Sequence, residues 1–281
     1  MRWPDDLAGW PMAEHSRQVL CRPHRWHIQE AGEGETLILI HGAGGATHSW
    51  RGVFPILAQH YHVVAIDLPG LGFTQVGARH RMGLAPIAQD LATLIKDQGW
   101  QPKAIIGHSA GAAVGLQLLE DGLDARLIGI NAALSSFNGV AGWLFPFMAK
   151  ALALNPLSSR LVSKTATPAS VKGLIKGTGS GIGPEGEALY LRLTRDRSHV
   201  DATLSMMAQW SLDRLVAGFP KISQPVDLII TEGDTAVPNA SSIVAAKRLP
   251  NARVHLVKGL GHLAHEEDPA QICDLMETCL H

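Results

Sequence analysis

Cysteine is scarce in this 281-residue sequence, and neither sign of charge is in excess. The three cysteines, Cys21, Cys273 and Cys279, form an odd set without the spacing of metal ligands, and no cationic, apolar, cleavable leader precedes Trp3-Pro4-Asp5-Asp6. We therefore expect a protein of a reducing cytoplasm. The 24 lysines and arginines nearly cancel the 25 aspartates and glutamates, so no net electric field favours binding to nucleic acid or anionic lipid.

Long uninterrupted apolar runs are also missing. The most apolar window, Val140 to Leu157, is broken by Pro146 and Lys150 and falls short of the roughly 20 residues that a spanning helix needs. We therefore predict no transmembrane segment. Hydrophobic residues nevertheless make up 46% of the chain and charged residues only 17%, which is enough apolar surface for a large globular core and too little charge for disorder.

Nucleotide and metal motifs are absent as well. The glycine-rich loop His41-Gly42-Ala43-Gly44-Gly45 follows an apolar run, but it lacks both G-x-G-x-x-G and the Lys-Ser/Thr pair of a Walker loop. This argues against a nucleotide site. The 14 histidines are scattered, and no group of His, Cys and Asp has the spacing of metal ligands. We predict no bound metal and no cofactor.

What the sequence does contain is a stretch with three features of a nucleophile elbow. Residues 104–113 form an apolar, β-branched run, then the turn Gly107-His108-Ser109-Ala110-Gly111, then a helical pattern. A chain that passes from strand to helix within one residue strains the backbone at Ser109, and Gly107 and Gly111 give it the necessary clearance. The turn exposes the serine hydroxyl and directs the Ala110 amide at a developing oxyanion.

Apolar runs alternate with amphipathic helical patterns on both sides of this elbow, which predicts an α/β fold with a mostly parallel central sheet flanked by helices. The predicted strands are Gln18–Cys21, Trp26–Glu30, Thr36–Ile40, Tyr61–Asp67, the elbow strand from Ala104, Leu127–Ala132, Val226–Thr231 and Arg253–Val257. The predicted helices of this part are Leu84–Gln98, the elbow helix, Ala240–Arg248 and Pro269–Leu280. Residues 1–135 and 224–281 are thus predicted to form the core, with residues 1–25 as an irregular arm whose tryptophans lie on the body.

The alternation stops between residues 136 and 223, where only helical patterns remain, and this predicts an inserted helical lid. The patterns cover Trp143–Leu154, Val171–Gly177, Glu185–Arg195 and His199–Val216. The first is apolar nearly all round, so it is either buried against the body or lines a large pocket, and the glycine-rich residues 172–183 predict a hinge. The side chains expected at the substrate pocket are Trp143, Phe147, Met148, Met206, Met207 and Trp210.

An acid and a histidine follow later strands, as the serine follows the elbow strand. Parallel sheets place the residues beyond their strand carboxyl ends at one edge, so we expect Ser109, Asp234 and His262 to meet. The order nucleophile, acid, histidine is that of the α/β-hydrolase fold. His262 would take the serine proton and Asp234 would hold the imidazole in the productive tautomer, while the backbone amides of Ala43 and Ala110 would form the oxyanion hole.

Nearby residues offer alternatives. Glu232 competes for the role of acid, but Asp234 stands deeper in the loop ahead of a Val-Pro pair. His265 competes with His262, and its position beside two glutamates is more typical of a solvated histidine at a helix entry. His41 and His108 are interpreted as structural residues that hydrogen-bond the loops around the oxyanion hole. Asp67 either caps the following turn or orients a loop, and we assign it no chemistry.

These motifs resemble the α/β-hydrolase superfamily over nearly the whole chain. More narrowly, several runs resemble the magnesium-chelatase-associated α/β-hydrolases of bacteriochlorophyll biosynthesis, the BchO family. The matching runs are residues 41–50, 107–113, 131–134, 154–157, 177–180, 206–210 and 259–267. The lid runs carry the most weight, because lids vary between families while triad motifs do not discriminate.

The resemblance implies a role beside magnesium insertion into protoporphyrin in a phototrophic bacterium. It does not give the reaction, and magnesium insertion itself needs an ATP-driven machine, whose Walker loop this chain lacks. The expected partners are a small-molecule substrate, such as a porphyrin or magnesium-porphyrin, and magnesium chelatase subunits. Peripheral association with the photosynthetic membrane is a further expectation.

Three hypotheses of function remain open. The first is a serine hydrolase that cleaves an ester of a tetrapyrrole or a related small molecule under an apolar lid. The second is a non-catalytic accessory protein that binds tetrapyrrole for magnesium chelatase. The third is a general carboxylesterase or a carbon-carbon bond hydrolase of aromatic degradation. The complete set of triad residues favours catalysis.

Overall fold

One sheet of eight strands organises the molecule, and the computed structural model describes residues 1–135 and 157–281. The strands are β1 (Ser16–Cys21), β2 (His24–Ala31), β3 (Thr36–Ile40), β4 (His62–Ile66), β5 (Pro102–His108), β6 (Arg126–Ile130), β7 (Val226–Thr231) and β8 (Ala252–Val257). Their order across the sheet is β1-β2-β4-β3-β5-β6-β7-β8. The pairs β1/β2 and β2/β4 are antiparallel and the remaining pairs are parallel. The predicted α/β architecture is confirmed.

The helices cover both faces of this sheet. In the core they are α1 (Phe54–Leu57), α2 (Leu84–Asp97), α3 (Ala110–Glu120), α9 (Asn239–Ala246), α10 (Ala264–Glu267) and α11 (Pro269–Leu280). Helices α2 and α3 pack on one face of the sheet, and α1 and α11 pack on the other. This arrangement explains why the central strands are continuously apolar, since neither face meets water.

Strand β3 shows how the sequence produces the two layers. Successive side chains of a strand point to opposite faces, and Ile38 and Ile40 join the cluster under α2 and α3, whereas Leu37 and Leu39 join the cluster under α1 and α11. All four are fully buried. Because β3 and β5 to β8 run parallel, the loops that follow them lie at one edge of the sheet, where the candidate site residues are found.

Five helices lie between β6 and β7 in the described residues. They are α4 (Ser158–Thr165), α5 (Pro168–Lys176), α6 (Gly183–Arg195), α7 (Arg197–Gln209) and α8 (Asp213–Gly218). We call residues 157–218 the helical insert. The predicted helix Trp143–Leu154 lies outside the described residues, as do Phe147 and Met148, and helix α4 was not predicted.

Two sequence predictions for the insert are wrong. The single helix expected over His199–Val216 is two helices, because the backbone of Trp210 is extended, with ψ 126°, and Ser211 bonds Asp213 across the break. The hinge expected across 172–183 is wrong for residues 172–176, which belong to helix α5. Among the residues that follow them, Gly177, Thr178, Ser180 and Gly181 are hydrogen-bonded to the core.

The amino-terminal arm is shorter than predicted, because β1 already begins at Ser16. Trp10 is 3% exposed and its indole N–H donates to the Thr47 hydroxyl over 3.2 Å, so this tryptophan lies on the body as expected. All three cysteines are buried free thiols. Within residues 1–135 and 157–281, no helix combines the length and the apolar composition needed to cross a membrane.

Candidate active site

Ser109 sits at the junction of β5 and α3 with a strained backbone. Its φ is +52° and its ψ is −114°, a conformation that side chains other than glycine seldom adopt. Strand β6 and the residues that follow it hold this turn in place, since the Ser109 amide donates to the Ile130 carbonyl over 2.9 Å and the Ser109 carbonyl accepts from the Ala133 N–H over 3.2 Å. The elbow geometry that the sequence predicts is therefore present.

The glycines of the elbow are required by close backbone contacts. A Cβ atom on Gly107 would lie 2.5 Å from the Ala112 backbone, and one on Gly111 would lie 2.1 Å from the Ile40 carbonyl oxygen. Both distances are far inside van der Waals contact, and neither neighbour is a flexible side chain. The sheet and the first turn of α3 can approach each other only because both positions lack a side chain.

Asp234 and His262 form the hydrogen-bonded pair of the site. The Nδ1–H of His262 donates to Asp234 Oδ2 over 2.8 Å. The other carboxylate oxygen, Oδ1, accepts the backbone N–H groups of Ala236 at 2.8 Å and Val237 at 2.9 Å. The Asp234 side chain is fully buried and that of His262 is 10% exposed. The carboxylate is thus fixed at both oxygens, and it fixes the imidazole in turn.

Glu232, the alternative acid, has an exposed side chain and lies two residues before Asp234. Both belong to residues 232–238, the loop after β7, which we call the acid loop. The Ser109 side chain is half-buried at the same edge of the sheet. In the described part of the chain its hydroxyl makes no hydrogen bond to His262 or to another residue. The structure therefore gives the acid–histidine half of the predicted triad in bonded form. The serine–histidine half stays a prediction, and catalytic hydrogen bonds are often long or poorly aligned before substrate binds.

Two buried side chains donate hydrogen bonds to the backbone of His262. Its carbonyl oxygen accepts from Asn131 Nδ2 at 3.0 Å and from His108 Nε2 at 3.0 Å. Since a carbonyl only accepts, the proton of the neutral His108 ring is on Nε2, and burial lowers the pKa of His108 well below its usual range. Asn131 has a positive φ of 46° and also bonds Thr231 of β7. Sequence analysis placed Asn131 in a predicted strand and in a matching run but assigned it no role.

The two amides expected to form the oxyanion hole are available. Among the described residues, neither the Ala43 N–H nor the Ala110 N–H donates a hydrogen bond to the protein. His41 shapes the loop before Ala43, because its Nδ1–H donates to the Gly42 carbonyl over 2.8 Å and its Nε2 accepts the Leu68 N–H at 3.0 Å. Burial lowers the pKa of His41, so this structural histidine is neutral.

His199 of the insert also contacts this loop, and sequence reasoning missed it. Its Nε2–H donates to the Gly44 carbonyl over 3.0 Å, and its Nδ1 accepts the Gly72 N–H at 3.1 Å. Burial lowers the pKa of His199 to about 4. The residues around His199 in sequence do not indicate these hydrogen bonds, because both partners lie more than 120 positions away.

The interpretation of His265 as a solvated residue is wrong. Its side chain is fully buried, and its ring lies 4.5 Å from that of His108 and 4.6 Å from that of Trp50, centroid to centroid. Burial lowers the pKa of His265 to about 3, so the ring is neutral. The error arose because the adjacent glutamates suggested water, whereas Glu266 is itself buried.

Glu266 joins the core to the insert. Its carboxylate pairs with the Arg51 guanidinium and accepts the hydroxyl of Tyr190 over 2.8 Å. Burial raises the pKa of Glu266 to about 7, although Arg51 and Tyr190 oppose this change. A residue that sequence analysis took as a solvent marker is therefore a buried contact between α10 and α6.

Asp67 is a buried carboxylate that hydrogen-bonds the loops around it. Its Oδ1 accepts the Thr47 N–H at 2.6 Å, and its Oδ2 accepts the Phe73 N–H at 2.9 Å and His27 Nδ1 at 2.6 Å. Burial alone would raise the pKa of Asp67, but His27, His41 and the backbone donor together lower it to about 2. The carboxylate is used entirely in structure.

The predicted pocket residues are only partly described. Met206 is 1% exposed and packs into the main core cluster, and Trp210 packs half-buried against that cluster. Met207 is half-buried on α7. Trp143, Phe147 and Met148 lie outside the described residues, so the assignment of this set to a substrate pocket stays a prediction.

One group of side chains in the described ranges brings three potential metal ligands together, namely Asp227, His255 and Cys279. Asp227 is already paired with Arg126 at 3.0 Å and with Arg253 at 3.1 Å, and His255 Nε2 lies 2.8 Å from the same carboxylate. Two guanidinium groups beside the carboxylate oppose a further cation. The arrangement fits an ion-pair network that ties β6, β7 and β8 together.

A family model described as alpha/beta hydrolase fold matches residues 35–269 of the chain. The chain is 43% identical over 262 residues to a protein of Rhodobacter capsulatus named "Magnesium-chelatase 30 kDa subunit", and the alignment covers 92% of each chain. The narrower resemblance noted from the sequence is thereby supported by an alignment of nearly full length.

Solved structures with the same fold are more distant in sequence. Epoxide hydrolase CorEH superposes with a TM-score of 0.79 at 22% identity, covering 94% of this chain and 97% of that one. A serine hydrolase involved in carbazole degradation, the CarC enzyme, gives a TM-score of 0.77 at 22% identity, covering 94% of this chain and 98% of the other. At these identities the likeness concerns the fold alone.

Proposed function

The chain belongs to the α/β-hydrolase fold family, and on that premise we propose that it is a serine hydrolase that cleaves an ester bond. Ser109 is the nucleophile, His262 the general base and Asp234 the acid that orients the imidazole. The observation that carries the proposal is the 2.8 Å bond from His262 Nδ1 to an Asp234 carboxylate whose other oxygen is held by two backbone amides. A neutral hydroxyl is a weak nucleophile, and this pair supplies the base it needs.

The first half of the reaction forms an acyl-enzyme. As the Ser109 oxygen attacks the ester carbonyl carbon, its proton passes to His262 Nε2, the ring nitrogen that Asp234 leaves free. The imidazolium so formed is stabilised by the adjacent carboxylate. The carbonyl oxygen becomes an oxyanion, and the Ala43 and Ala110 N–H groups donate to it. His262 then returns the proton to the departing alkoxide, which leaves as an alcohol.

The second half repeats these roles with water. Water gives a proton to His262 Nε2 and attacks the acyl carbon, a second oxyanion forms in the same hole, and the Ser109 oxygen leaves with the proton from His262. The acid product and free enzyme result. The strained elbow suits both halves, because it keeps the serine oxygen at the amino-terminal end of α3, where the helix dipole favours negative charge.

The substrate we propose is a tetrapyrrole ester, that is, an ester of a porphyrin or of a magnesium-porphyrin. The protein would meet this substrate beside magnesium chelatase. The support is the 43% identity to a protein named as a magnesium chelatase subunit, together with the apolar sequence between β6 and β7, which suits a flat aromatic ring. In this setting the protein acts next to the chelatase, and peripheral contact with the photosynthetic membrane belongs to the same proposal.

A second candidate is a non-catalytic accessory protein that presents or protects a tetrapyrrole for the chelatase. The observation that favours it is the same relative, which is named as a subunit of the chelatase complex. The two candidates differ in whether Ser109 reacts. They agree that a porphyrin binds.

Labelling with a fluorophosphonate separates the two. We expect the wild-type protein to gain one phosphonyl group at Ser109, located by peptide mass spectrometry, and Ser109→Ala to remain unlabelled. Ser223→Ala is the matched control, because Ser223 is exposed and precedes the amino end of β7. A wild-type protein that is folded and unlabelled at Ser109 would contradict the hydrolase and leave the accessory protein.

Absorbance titration tests the tetrapyrrole class independently of catalysis. Protoporphyrin and its magnesium derivative, each titrated with Ser109→Ala at micromolar protein, are expected to shift the porphyrin absorbance band. If the protein leaves the porphyrin absorbance band unchanged and Ser109 is labelled normally in the wild type, the result favours a general carboxylesterase over a hydrolase of tetrapyrrole esters.

A further inference from the structure

A short loop of the helical insert lies against both loops that carry the acid and the histidine. This loop, residues 177–181 between α5 and α6, is called here the bracing loop. The carbonyl oxygen of Thr178 accepts two backbone N–H groups, that of His262 at 3.2 Å and that of Thr235 at 3.3 Å. The Thr235 hydroxyl also donates to the Gly177 carbonyl over 2.9 Å. One peptide carbonyl thus links the histidine itself to the residue that follows Asp234.

Further hydrogen bonds join the bracing loop to residues 258–263, the loop after β8, which we call the histidine loop. Ser180 Oγ accepts the backbone N–H of Leu263 at 2.9 Å, and both residues are 7% exposed. The N–H of Gly181 donates to Glu267 over 3.3 Å, and the same carboxylate accepts the N–H of Gly261 at 2.9 Å. The residues immediately before and after His262 are therefore both tied to the bracing loop, one directly and one through Glu267.

Three glycines allow the loops to come this close. Gly179 has a φ of +82°, and a Cβ atom on it would lie 1.9 Å from the Gly233 carbonyl oxygen. A Cβ atom on Gly261 would lie 2.3 Å from the Gly179 carbonyl oxygen, and one on Gly233 would lie 2.8 Å from the Leu260 carbonyl oxygen. At these glycines the backbones of the acid loop, the histidine loop and the bracing loop are in direct contact. No side chain larger than hydrogen fits at the junction.

We infer that the bracing loop is a positioning element for the Asp234–His262 pair, so that the insert completes the catalytic centre. Asp234 and His262 lie 28 positions apart on separate loops, and the bond between them requires both loops to keep their places. Displacement of a reacting group by about 1 Å can cost about 100-fold in rate. Gly179 and Ser180 are the positioning residues of this element. The inference rests on the proposed function for the catalytic meaning of the pair.

The test compares substitutions within the bracing loop. The added Cβ of Gly179→Ala must displace the Gly233 carbonyl and with it the acid loop. We expect kcat for hydrolysis of a chromogenic ester to fall about 100-fold, with little change in KM. Ser180→Ala removes the acceptor of the Leu263 N–H, and we expect kcat to fall about 10-fold. Ser180→Thr keeps the hydroxyl and restores most of that loss. Gly173→Ala is the matched control, because Gly173 lies in α5 outside the bracing loop and a Cβ there meets nothing within 4 Å, so its kinetics stay at the wild-type values.

A spectroscopic measurement reads the pair without using activity. The proton of the His262 Nδ1–H···Asp234 bond should give a downfield NMR signal in the wild type and in Gly173→Ala, and the signal should disappear in His262→Gln. We expect Gly179→Ala and Ser180→Ala to shift or broaden this signal. A folded Gly179→Ala protein with an unchanged signal and unchanged kcat overturns the inference, and if that variant does not fold, Ser180→Ala decides in the same way.

The two proposals fail in different ways. If the wild type is not labelled at Ser109 but the downfield signal responds to Ser180→Ala, the brace stands and the serine hydrolase fails. If Ser109 is labelled and neither bracing variant alters kcat or the NMR signal, the hydrolase stands and the brace fails.

Discussion

The central sheet and the helical insert are held in different ways. In β3, the side chains from Leu37 to Ile40 are all fully buried, whereas Leu161 of α4 and Leu174 of α5 are each 65% exposed. The insert meets the core through apolar side chains, such as Met206 and Leu215 in the main cluster and Leu193 beside Trp10, and through polar contacts to the loops around Ser109, Asp234 and His262. The central strands are thus buried on both faces, whereas the insert is buried on its inner side and exposed on its outer side.

The largest expected effect concerns the acid of the core. Asp234→Asn cannot hold His262 in the required tautomer, and we expect kcat for ester hydrolysis to fall about 10,000-fold. Glu232→Gln, two residues earlier and exposed, should retain full activity. Steady-state kinetics on a chromogenic ester measure both. If Glu232→Gln is the damaging substitution, the acid has been assigned to the wrong side chain.

Stability tests the comparison most directly. Leu39→Ala leaves a cavity in a fully buried layer, so we expect the free energy of unfolding in urea to fall by about 2–5 kcal/mol. Leu174→Ala removes an exposed side chain of the insert and should change that free energy by less than about 0.5 kcal/mol. Equal losses from the two substitutions would show that the outer insert is as tightly packed as the sheet.

A smaller effect is expected from the buried carboxyl between core and insert. Glu266 has an ordinary pKa of about 4.5 in the unfolded chain and a pKa raised to about 7 by burial in the fold. Between these values the unfolded state loses its proton first, so the free energy of unfolding falls as the pH rises, by up to about 3 kcal/mol, and levels off above pH 7. Arg51, Tyr190 and Glu267 are the charged or titratable groups that act on it.

Urea unfolding of the wild type and of Glu266→Gln across pH 4 to 8 checks this dependence. The glutamine variant should lack the fall, and the exposed Glu33→Gln should keep it, since it removes only a surface charge. Identical pH profiles for the wild type and Glu266→Gln would mean that the Arg51 pairing keeps the carboxyl ionised at low pH.

Much of the fold and of the site could be predicted because its signals are local. The apolar runs gave β3 and β7 to the residue, and Gly107-His108-Ser109-Ala110-Gly111 predicted a strained turn that the structure contains. Both depend on the conformational preferences of a few adjacent residues. The prediction of a single helix over His199–Val216 was wrong because the helical periodicity of apolar residues continues across the break. The extended backbone of Trp210 and the Ser211–Asp213 hydrogen bonds that mark the break have only a weak signal in the sequence.

Other features could not be predicted, because they depend on contacts between distant residues. His265 was taken as solvated from its neighbours in sequence, but its surroundings are Trp50 and His108, which lie far away along the chain. Asn131 bonds the His262 carbonyl across 131 positions, and His199 bonds the Gly44 carbonyl across 155. Side-chain identity alone does not reveal such partners.

The strands, the elbow and the chain order of serine, acid and histidine are encoded locally, in backbone preference and in the periodicity of buried side chains. The folded chain adds which acid bonds His262, the burial of His265 and Glu266, and the hydrogen bonds from residues 177–181 to the acid and histidine loops. These features were not encoded locally, because burial and hydrogen bonding between separate loops depend on how the whole chain packs.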